Sequence, residues 1–480
     1  MGAGVGGRAR SAGARPDRRL LGRGVADGGR PPPGADPGHR ARHDRRHRRR
    51  SRSTTDARNI VSTQQPCVVL VYQRTTLPWV FDSAERAGIR LILVPRSDET
   101  VSADRLPPAV ADVLRLDIDG DRAGALATLR QVHGTTPFQG ICTLYDPAVP
   151  FVAEAAELLG LPGIGRGAAL GAQDKRVMRE RLAAAGLNVP RFVGLKDPSA
   201  WEEAAHLDFP VVVKPAHGFS SLGVTKAERP DELKAVVEEV WQICRGKLGE
   251  ARGLIVEEYL DGPEFAVESL AHRGEVTVCS IGYKGAPEGP YFEESVYRAP
   301  AVLPEAVRDA IRHEVTAAHA ALGITDGPAH TELRLRGDRP YLLELGARIG
   351  GSGVSEYIVR NVTGRDFAAD ALRIAAGMPP RSFDAGHPPA ATGAAANYIV
   401  PCGGSGRITA IHGLDELRAD PRVDHVVQML FPGDVVRPYP DFTGYPAFVL
   451  SRHATTAEAE EFHRALESAI RIEYAPEGGR

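Results

Sequence analysis

The chain alternates between apolar runs of strand length and amphipathic stretches of helical spacing from about residue 66 onward. An apolar run at residues 67–72 predicts a buried strand, and residues 79–87 predict a helix that ends at Gly88. Residues 91–95 predict the next strand. The alternation continues with a helix at 121–132, a strand at 139–144 and a helix at 150–159. Strands that alternate with helices commonly pair in parallel, so we expect a small parallel sheet in this part of the chain.

From about residue 173 the pattern changes to helices mixed with antiparallel strands. Two apolar runs at 264–271 and 275–283, joined by a short turn, predict one antiparallel pair. A second pair is predicted at 329–335 and 340–346. Helices are predicted at 174–185, 231–246 and 304–322, and further strands at 210–214 and 253–259. Beyond a stretch rich in Pro, Ala and Gly, residues 396–474 predict a smaller unit of strands and helices.

These elements predict an α/β protein in four segments. We expect a tail at 1–60, an N-terminal parallel α/β domain at 61–168, a central two-lobed domain at 169–390 and a small C-terminal α/β domain at 391–480. Residues 1–52 hold 15 arginines, many glycines and prolines and almost no large apolar side chains. Such a segment buries too little surface to offset the entropy of ordering, so we expect disorder. It could be a nucleic-acid-binding tail, an Arg-rich transit peptide or a dispensable tail.

Composition and charge narrow the class of protein. Hydrophobic residues make up 42% and charged residues 25% of the 480 residues, as in ordinary globular enzymes. The formal net charge is −2, so the whole chain has no general attraction to nucleic acids or to anionic membranes. The apolar runs are all shorter than the roughly 18 residues that cross a bilayer. Five scattered cysteines without a C-x-x-C pair indicate reduced thiols, and we expect a cytoplasmic protein.

The few lysines of the chain stand out because arginine is so common. There are seven lysines against 52 arginines. Lys175 comes at the start of a predicted helix, and Lys214 ends the apolar run 210–214. A loop rich in Gly and Ser, residues 218–223, comes soon after that strand. An ammonium group at a strand end beside free backbone N–H groups is suited to nucleotide phosphates, so we predict an ATP-using enzyme.

Two glutamates in the second predicted antiparallel pair are candidates for a metal site. If its turn centres on Asp338, Glu332 and Glu344 lie at equal separation from the turn and face each other on adjacent strands. Like charges that oppose each other destabilise a sheet, and a divalent cation between them resolves the conflict. Mg²⁺ commonly takes one or two carboxylates together with phosphate oxygens. The alternative is that one glutamate pairs with Arg334 or Arg348 and that no metal binds.

An acidic connector follows the predicted strand 253–259. Glu257 and Glu258 precede a Gly-Pro turn, and Glu264 stands just beyond it. Backbone groups in such a connector can bind the edge of an adenine ring, and a carboxylate beyond the turn can accept hydrogen bonds from ribose hydroxyls. Acids near a turn are also simply solvated in many proteins, so this spacing alone is weak evidence.

In their order along the chain, these segments resemble the ATP-grasp superfamily over roughly residues 170–355. The resemblance implies an α+β ATP-grasp core that uses ATP with one or two Mg²⁺ ions, with Mn²⁺ as an alternative ion. In the family pattern the two lysines hold the α- and β-phosphates, and the Gly/Ser loop covers them. The implied ATP site consists of Lys175, Lys214, Ser220, Ser221, Gly223, Glu257, Glu258, Tyr259, Leu260 and Glu264, and the implied metal ligands are Glu332 and Glu344. Many members carry Asn where this chain has Gly346, which leaves the second ion open.

Within the superfamily the chain resembles the bacterial L-amino-acid ligases and related carboxylate–amine ligases. Glu294, Tyr297 and Pro300 stand where that subgroup has Glu, His and Pro in its substrate segment, so Tyr297 is a departure. Arg348 matches the arginine that steadies an acyl phosphate, and Gly351 lies in the same segment. The implied catalytic residues are Arg348 and Lys214, and the implied substrate residues are Glu294, Tyr297, Arg348 and Gly351.

That subgroup joins an amino-acid carboxylate to an amine through an acyl phosphate and releases ADP and phosphate. The resemblance therefore implies small-molecule amino-acid and amine partners, without nucleic acid or membrane, and a homodimer as one possible assembly. An enzyme of the biotin-carboxylase type or of a nucleotide pathway is an alternative, and it would use bicarbonate or a phosphoribosyl amine. A non-catalytic ATP-binding regulatory module is another, although the presence of both lysines and both carboxylates speaks against it.

Overall fold

The computed structural model describes residues 65–73, 79–97, 99, 101, 106–218, 221–247, 252–285, 296–351, 354–381, 393–438, 441 and 444–475. Contacts divide the chain into Met1–Ser62 and Thr63–Arg480. The first unit lies outside the described residues, so the expected disorder of the tail stays a prediction. None of the described helices is long and apolar enough to cross a membrane.

The N-terminal segment forms the predicted parallel sheet. Its strands are β1 (Cys67–Val71), β2 (Arg90–Val94), β3 (Val110–Val113) and β4 (Gly140–Thr143), in the order β3-β2-β1-β4. The helices of this segment are α1 (Trp79–Ala87), α2 (Arg122–Thr135) and α3 (Val149–Leu159). The central strands are rich in Val, Ile and Leu and almost wholly buried, as parallel sheets covered by helices are. The sequence pattern does not predict β3, because its four residues are only partly buried and break the apolar run.

A small antiparallel sheet follows. Its order is β5-β8-β6-β7, with β5 (Phe192–Leu195), β6 (Val211–Pro215), β7 (Thr225–Ala227) and β8 (Leu254–Glu258). The helices of this region are α4 (Gly165–Gln173), α5 (Lys175–Ala184) and α6 (Leu233–Lys247). The apolar face of α6, with Val237 and Val240, packs on Val211, Val213 and Val256 of the sheet. The pattern does not predict α4, because its sequence is mostly Gly and Ala and lacks a clear apolar stripe.

A large antiparallel sheet forms the centre of the molecule. Its first strands are β9 (Glu264–His272), β10 (Glu275–Gly285), β11 (Val296–Ala299), β12 (Gly327–Arg336) and β13 (Arg339–Gly346). The helix α7 (Glu305–Leu322) covers it through Val307, Ile311, Val315 and Leu322, and ends at Gly323 in the left-handed conformation. Two helices that the pattern does not predict, α8 (Val354–Thr363) and α9 (Phe367–Ala375), follow β13. Both predicted antiparallel pairs, β9–β10 and β12–β13, are confirmed.

Six described strands follow in the C-terminal region, and three of them extend this central sheet. They are β14 (Ala394–Ile399), β15 (Gly406–His412), β16 (Val423–Gln428), β17 (Val435–Val436), β18 (Ala447–His453) and β19 (Arg471–Tyr474), with helices α10 (Leu414–Arg418) and α11 (Thr456–Ala469). The central sheet has the order β13-β12-β9-β10-β11-β14-β18-β16, and β17-β15-β19 form a separate small sheet. Hydrogen bonds therefore cross the predicted limit at residue 390, and the four domain limits stay predictions.

The predicted fold class is confirmed: a parallel α/β region is followed by a mixed core of helices and antiparallel strands. The small sheet contributes β6 and β8, and the central sheet contributes β9, β12 and β13, to the residues discussed next.

Candidate active site

Side chains from both antiparallel sheets line a cavity of about 140 Å³. The predicted site residues that line it are Lys175, Lys214, Ser221, Glu257, Glu258, Tyr259, Leu260, Glu264, Glu332, Glu344 and Arg348. Ser220 and Glu294 lie outside the described residues. Gly223, Tyr297 and Gly351 are described but do not line the cavity. The cavity thus brings together most of the residues predicted for ATP and metal, and also Arg348, which is predicted to contact the substrate.

Lys175 links the glycine-rich loop to the carboxylate pair. It begins α5 because the side chain of Asp174 caps the helix, accepting a hydrogen bond from the Arg176 backbone at 2.9 Å. Its ammonium group donates to the backbone carbonyl of Gly218 at 3.0 Å and lies 3.1 Å from the carboxylate of Glu344. The ammonium group of Lys175 therefore lies between the loop and the carboxylate pair.

Lys214 belongs to a buried ion cluster. Its ammonium group pairs with Glu257, whose other oxygen lies 2.5 Å from Arg179 Nε. Burial lowers the pKa of Lys214, although Glu257 opposes this effect. Burial alone would raise the pKa of Glu257, but Arg179 and Lys214 hold it below its ordinary value. The carboxylate of Glu257 thus orients Lys214, so only the backbone of Glu257 remains for the predicted adenine contact.

The connector beyond β8 is held by three cationic side chains. Arg334 donates to the backbone carbonyl of Leu260 at 2.6 Å and to the Glu264 carboxylate at 3.1 Å. The other Glu264 oxygen lies 3.2 Å from Lys284 Nζ. Lys226 lies over the ring of Tyr259, 4.1 Å from its centroid. These contacts fix the connector before any nucleotide binds, and the predicted adenine and ribose contacts stay predictions.

The glycine-rich loop makes a tight turn directly after β6. Ser221 has φ 52° and Gly223 has φ 80°. A Cβ at position 223 would lie 2.9 Å from Pro215 Cγ, so this close approach needs glycine. The loop therefore returns over the end of the strand that carries Lys214.

Glu332 and Glu344 face each other as predicted, but the turn differs from the expected one. Arg336 pairs with Arg339, so the turn centres between Gly337 and Asp338. A bulge then shifts the register between Glu332 and Leu333 and brings Glu344 opposite Glu332. Bulges of this kind often re-aim side chains beside active sites. The opposed pair is confirmed, and the bulge is its physical cause.

Two lysines neutralise this carboxylate pair. Lys284 Nζ lies 2.5 Å from Glu332, and Lys175 lies 3.1 Å from Glu344. Burial would raise the pKa of Glu332, but Lys284 and His330 lower it well below its ordinary value. The two arginines named as alternative partners are wrong, because Arg334 binds Glu264 and Arg348 binds Asp146. Both glutamates do form salt bridges, with lysines, and the metal stays a prediction.

The carboxylate pair fits a hard divalent cation. Each side chain is 24% exposed, whereas the Lys284 side chain beside them is only 6% exposed. Carboxylate oxygens that open into a cavity lined by lysines are suited to Mg²⁺ with phosphate oxygens. In the described part of the chain no group of three or more His, Cys, Asp or Glu could hold a metal by itself. Phosphate or water would therefore complete the coordination.

Arg348 is held by a carboxylate from the N-terminal segment. Its Nε lies 3.0 Å from Asp146, and Asp146 also accepts a hydrogen bond from the Gln173 amide at 2.9 Å. A Cβ at position 346 would lie 3.3 Å from Asp146 Oδ1. Gly346, which departs from the family's Asn, therefore leaves room for the carboxylate that orients Arg348.

A buried hydrogen-bond network lies beside the cavity. Glu268 is fully buried, and its Oε1 lies 3.1 Å from the Tyr297 hydroxyl, 2.6 Å from His330 Nδ1 and 2.6 Å from Ser355 Oγ. Burial and then Glu268 raise the pKa of Tyr297 well above its ordinary value, so it remains a neutral phenol. Burial alone would lower the pKa of His330, but Glu268 and Glu332 reverse this and raise it to about 9. His330 is thus a cation at the wall of the cavity.

Sequence reasoning missed Lys284, Arg179, Asp146, Glu268 and His330. The scarcity of lysine that singled out Lys175 applies equally to Lys284, so that signal was present. The other four act through partners distant in sequence, such as Asp146 and Arg348, which are 202 positions apart. No local pattern identifies them.

Three family models match the chain. They are an ATP-grasp domain at residues 207–356, an ATP-grasp N-terminal domain at residues 81–163 and an L-amino acid ligase C-terminal domain 2 at residues 399–475. Their order agrees with the order of segments expected from the sequence.

Curated relatives include ligases. The chain is 34% identical over 226 residues to a D-alanine–D-alanine ligase of Aromatoleum aromaticum, which covers 45% of this chain and 71% of the relative. It is 25% identical over 323 residues to carnosine synthase 1 of Gallus gallus, which covers 63% of this chain and 34% of the relative.

The chain is also similar to solved structures of ligases and synthetases. The L-amino acid ligase from Bacillus licheniformis has a TM-score of 0.76 and 39% identity, covering 86% of this chain and 99% of that one. The phosphoribosylglycinamide synthetase from Anaerococcus prevotii has a TM-score of 0.64 and 17% identity, covering 85% and 100%. The second likeness shows the fold alone.

Proposed function

Because the chain belongs to the ATP-grasp carboxylate–amine ligases, we propose that it joins the carboxylate of one amino acid to the amine of a second substrate. Two observations support the choice of amino acids: the 39% identity to an L-amino acid ligase over 86% of the chain, and the match to the C-terminal domain of those ligases. The observation that carries the chemistry is the opposed pair Glu332 and Glu344, flanked by Lys175, Lys284 and Arg348.

ATP would lie between the two antiparallel sheets. Lys175 and Lys214 would bind the α- and β-phosphates, since both ammonium groups line the cavity and are already oriented by carboxylates. Glu258, Tyr259 and Leu260 line the wall proposed for adenine, and Glu264 lies where a ribose hydroxyl could donate to it. ATP-grasp enzymes use ATP with Mg²⁺, and here Glu332 and Glu344 would hold the cation, which would neutralise charge on the phosphates.

The first step would activate the carboxylate. A carboxylate oxygen of the acid attacks the γ-phosphorus, the bond from that phosphorus to the β-γ bridging oxygen breaks, and ADP leaves with the electron pair. The acid is then an acyl phosphate. Arg348 would face the transferring group, because Asp146 holds its guanidinium at the cavity wall. A fixed cation at that point stabilises the charge that develops in the transition state.

The second step would form the amide. The amine attacks the carbonyl carbon of the acyl phosphate, the bond from carbon to the phosphate oxygen breaks, and phosphate leaves while the amine gives up a proton. Water would compete with the amine, so the acyl phosphate needs a closed site. The loop around Ser221 and Gly223 would provide part of that cover, since it turns back over the end of β6. Glu294 stays a predicted contact for the α-ammonium group of the activated amino acid.

Phosphate release across a substrate panel tests this function. The purified enzyme with ATP and Mg²⁺ is given L-amino acids singly and in pairs, with D-alanine and bicarbonate included, and products are identified by mass spectrometry. We expect phosphate release that requires one carboxylate and one amine. We also expect a product whose mass neither substrate alone would explain. Adding hydroxylamine to the acid alone should give a hydroxamate, because it traps an acyl phosphate. Release with bicarbonate but with no amino acid would contradict the proposal in favour of a carboxylating enzyme.

A further inference from the structure

Tyr297 stands where the resembled ligases have His, and its surroundings are those of an internal residue. The side chain is 7% exposed, and its hydroxyl donates to Glu268 Oε1 at 3.1 Å. Tyr297 is on β11 and Glu268 is on β9, so the ring must cross β10 to make this contact. Gly282 of β10 allows the crossing, because a Cβ there would lie 2.0 Å from the Tyr297 ring.

The same oxygen of Glu268 binds two further groups. His330 Nδ1 lies 2.6 Å away, and since an ionised carboxylate only accepts, this ring nitrogen carries the proton. Ser355 Oγ donates at 2.6 Å. Glycine is needed here as well, because a Cβ at Gly350 would lie 2.5 Å from His330 Nδ1 and 2.3 Å from Ser355 Oγ. Three donors from three elements thus converge on one buried acceptor.

His330 connects this network to the proposed metal site. It lies two residues before Glu332 on β12, so both side chains are on one face of the strand. With Nδ1 bound to Glu268, His330 Nε2 is turned to the cavity and lies 3.5 Å from Glu332 Oε1. Lys284 Nζ lies 2.5 Å from the same oxygen, so the imidazole and the ammonium group together limit the rotamers of Glu332.

We propose that Tyr297 is a positioning residue for the metal carboxylate: it fixes Glu268, Glu268 orients His330, and His330 holds Glu332 ready for the cation. This inference rests on the proposed function, since it takes Glu332 as a metal ligand. It also gives a role to Tyr297, which does not line the cavity, at the position where the resembled ligases have His. The replacement works in this chain because Gly282 leaves space for the larger ring.

Binding of Mn²⁺ tests the relay without turnover. Free Mn²⁺ is counted by electron paramagnetic resonance in the presence of ADP, and ADP binding without metal is measured by calorimetry. Tyr297→Phe removes only the hydroxyl and should weaken Mn²⁺ binding by about 3- to 10-fold, as expected for one hydrogen bond, while metal-free ADP binding stays unchanged. Tyr398→Phe is the matched control, because Tyr398 is a buried tyrosine of the neighbouring strand β14 that packs on His463. It should leave both constants unchanged.

A double-mutant cycle shows whether the effect passes through His330. His330→Gln alone should weaken Mn²⁺ binding at least as much as Tyr297→Phe, and adding Tyr297→Phe to it should cause no further loss. If Tyr297→Phe does not fold, Ser355→Ala removes another donor to the same oxygen and should behave alike.

The outcomes separate this inference from the function on which it rests. The relay alone would be overturned if Tyr297→Phe bound Mn²⁺ as tightly as the wild type does. It would also be overturned if Tyr297→Phe weakened Mn²⁺ binding equally in the wild type and in His330→Gln. A wild-type enzyme that binds ADP but no Mn²⁺ would overturn the metal assignment, and the relay with it.

Discussion

Carboxylates orient three lysines at the candidate site, and two of these lysines, Lys175 and Lys214, are proposed to bind phosphate. Lys214 contacts Glu257, Lys175 contacts Glu344, and Lys284 contacts both Glu264 and Glu332. A buried ammonium group without a partner would be strongly unfavourable, so these pairs stabilise the charged lysines before a nucleotide binds. Binding of ATP would then exchange part of this pairing for phosphate oxygens, with little movement of the side chains.

The role of Lys214 is tested by removing its charge. Lys214→Met keeps the aliphatic stem and should lower ATP turnover by about 100-fold or more, because the charge that faces the phosphates is lost. Lys234→Met is the matched control, since Lys234 is exposed on α6, and it should behave as wild type. Rates of ADP formation and circular dichroism are compared for the three proteins. A folded Lys214→Met enzyme within about threefold of the wild-type rate would remove Lys214 from the phosphate site.

Arg348 should act on the reaction rate more than on binding. Its partner charge develops only as the phosphoryl group moves, so Arg348→Ala should lower kcat by about 100- to 1,000-fold with a small change in the KM for ATP. Asp146→Asn should lower kcat in the same direction but less, because it loosens Arg348 without removing it. Steady-state kinetics measure both, with Arg360→Ala, an exposed arginine of α8, as control. A change in KM alone would assign Arg348 to ground-state binding.

The sequence predicts the residues that line the cavity better than the buried residues that hold them in place. Lys175, Lys214, Glu332 and Glu344 could be found because they follow recognisable local patterns in a fixed order. Glu268 could not, since its importance lies in contacts with side chains 29, 62 and 87 positions away. Such convergence depends on sheet order and register, which no single segment specifies.

At the scale of helices and strands, the bulge in β12–β13 places the two glutamates of the candidate site opposite each other. Without the shift between Glu332 and Leu333, Leu343 would lie opposite Glu332. The hairpin itself is predictable from two apolar runs and a Gly-Asp turn. The bulge is not, because an extra residue in one strand leaves no clear mark in the apolar pattern. The prediction named the right pair of carboxylates, although it placed the centre of the turn at Asp338 and the structure places it between Gly337 and Asp338.

The fit between β10 and β11 gives a prediction about stability. Gly282→Ala would place a methyl group against the Tyr297 ring and should lower the free energy of unfolding by about 1–3 kcal/mol. The cost should become much smaller in a Tyr297→Val background, where the ring is absent. Gly246→Ala in α6 is the control, because nothing lies within 4 Å of its added Cβ, and it should be neutral or stabilising by about 0.5–1 kcal/mol. Urea unfolding measures all four; a Gly282→Ala cost that is the same in both backgrounds would contradict the described packing.

At the scale of the whole molecule, the residues of the candidate site come from separate parts of the chain. Asp146 of the N-terminal segment orients Arg348, the small sheet carries Lys214, and the central sheet carries the carboxylates. The fold class was predictable because the alternation of strands and helices and then the antiparallel pairs are each local signals. The union of C-terminal strands with the central sheet was not, since β11 and β14 pair across about a hundred residues.

The Arg-rich N-terminal tail should be dispensable for catalysis. Residues 1–52 hold 15 arginines and almost no large apolar side chains, so they offer almost no surface for a core. A protein that starts at Thr63 should therefore keep the melting temperature and kcat of the full chain. Calorimetry and ADP formation compare the two. A loss of turnover at unchanged stability would show that the tail takes part in function.

In the proposed reaction an amino-acid carboxylate is activated as an acyl phosphate before an amine attacks it. The most direct test uses an acid substrate with ¹⁸O in both carboxylate oxygens and follows the label by mass spectrometry. Attack of one carboxylate oxygen on the γ-phosphorus moves that oxygen into phosphate and leaves the other in the amide. We expect one ¹⁸O atom in each released phosphate and one in each amide product. Unlabelled phosphate, or label in AMP, would contradict it.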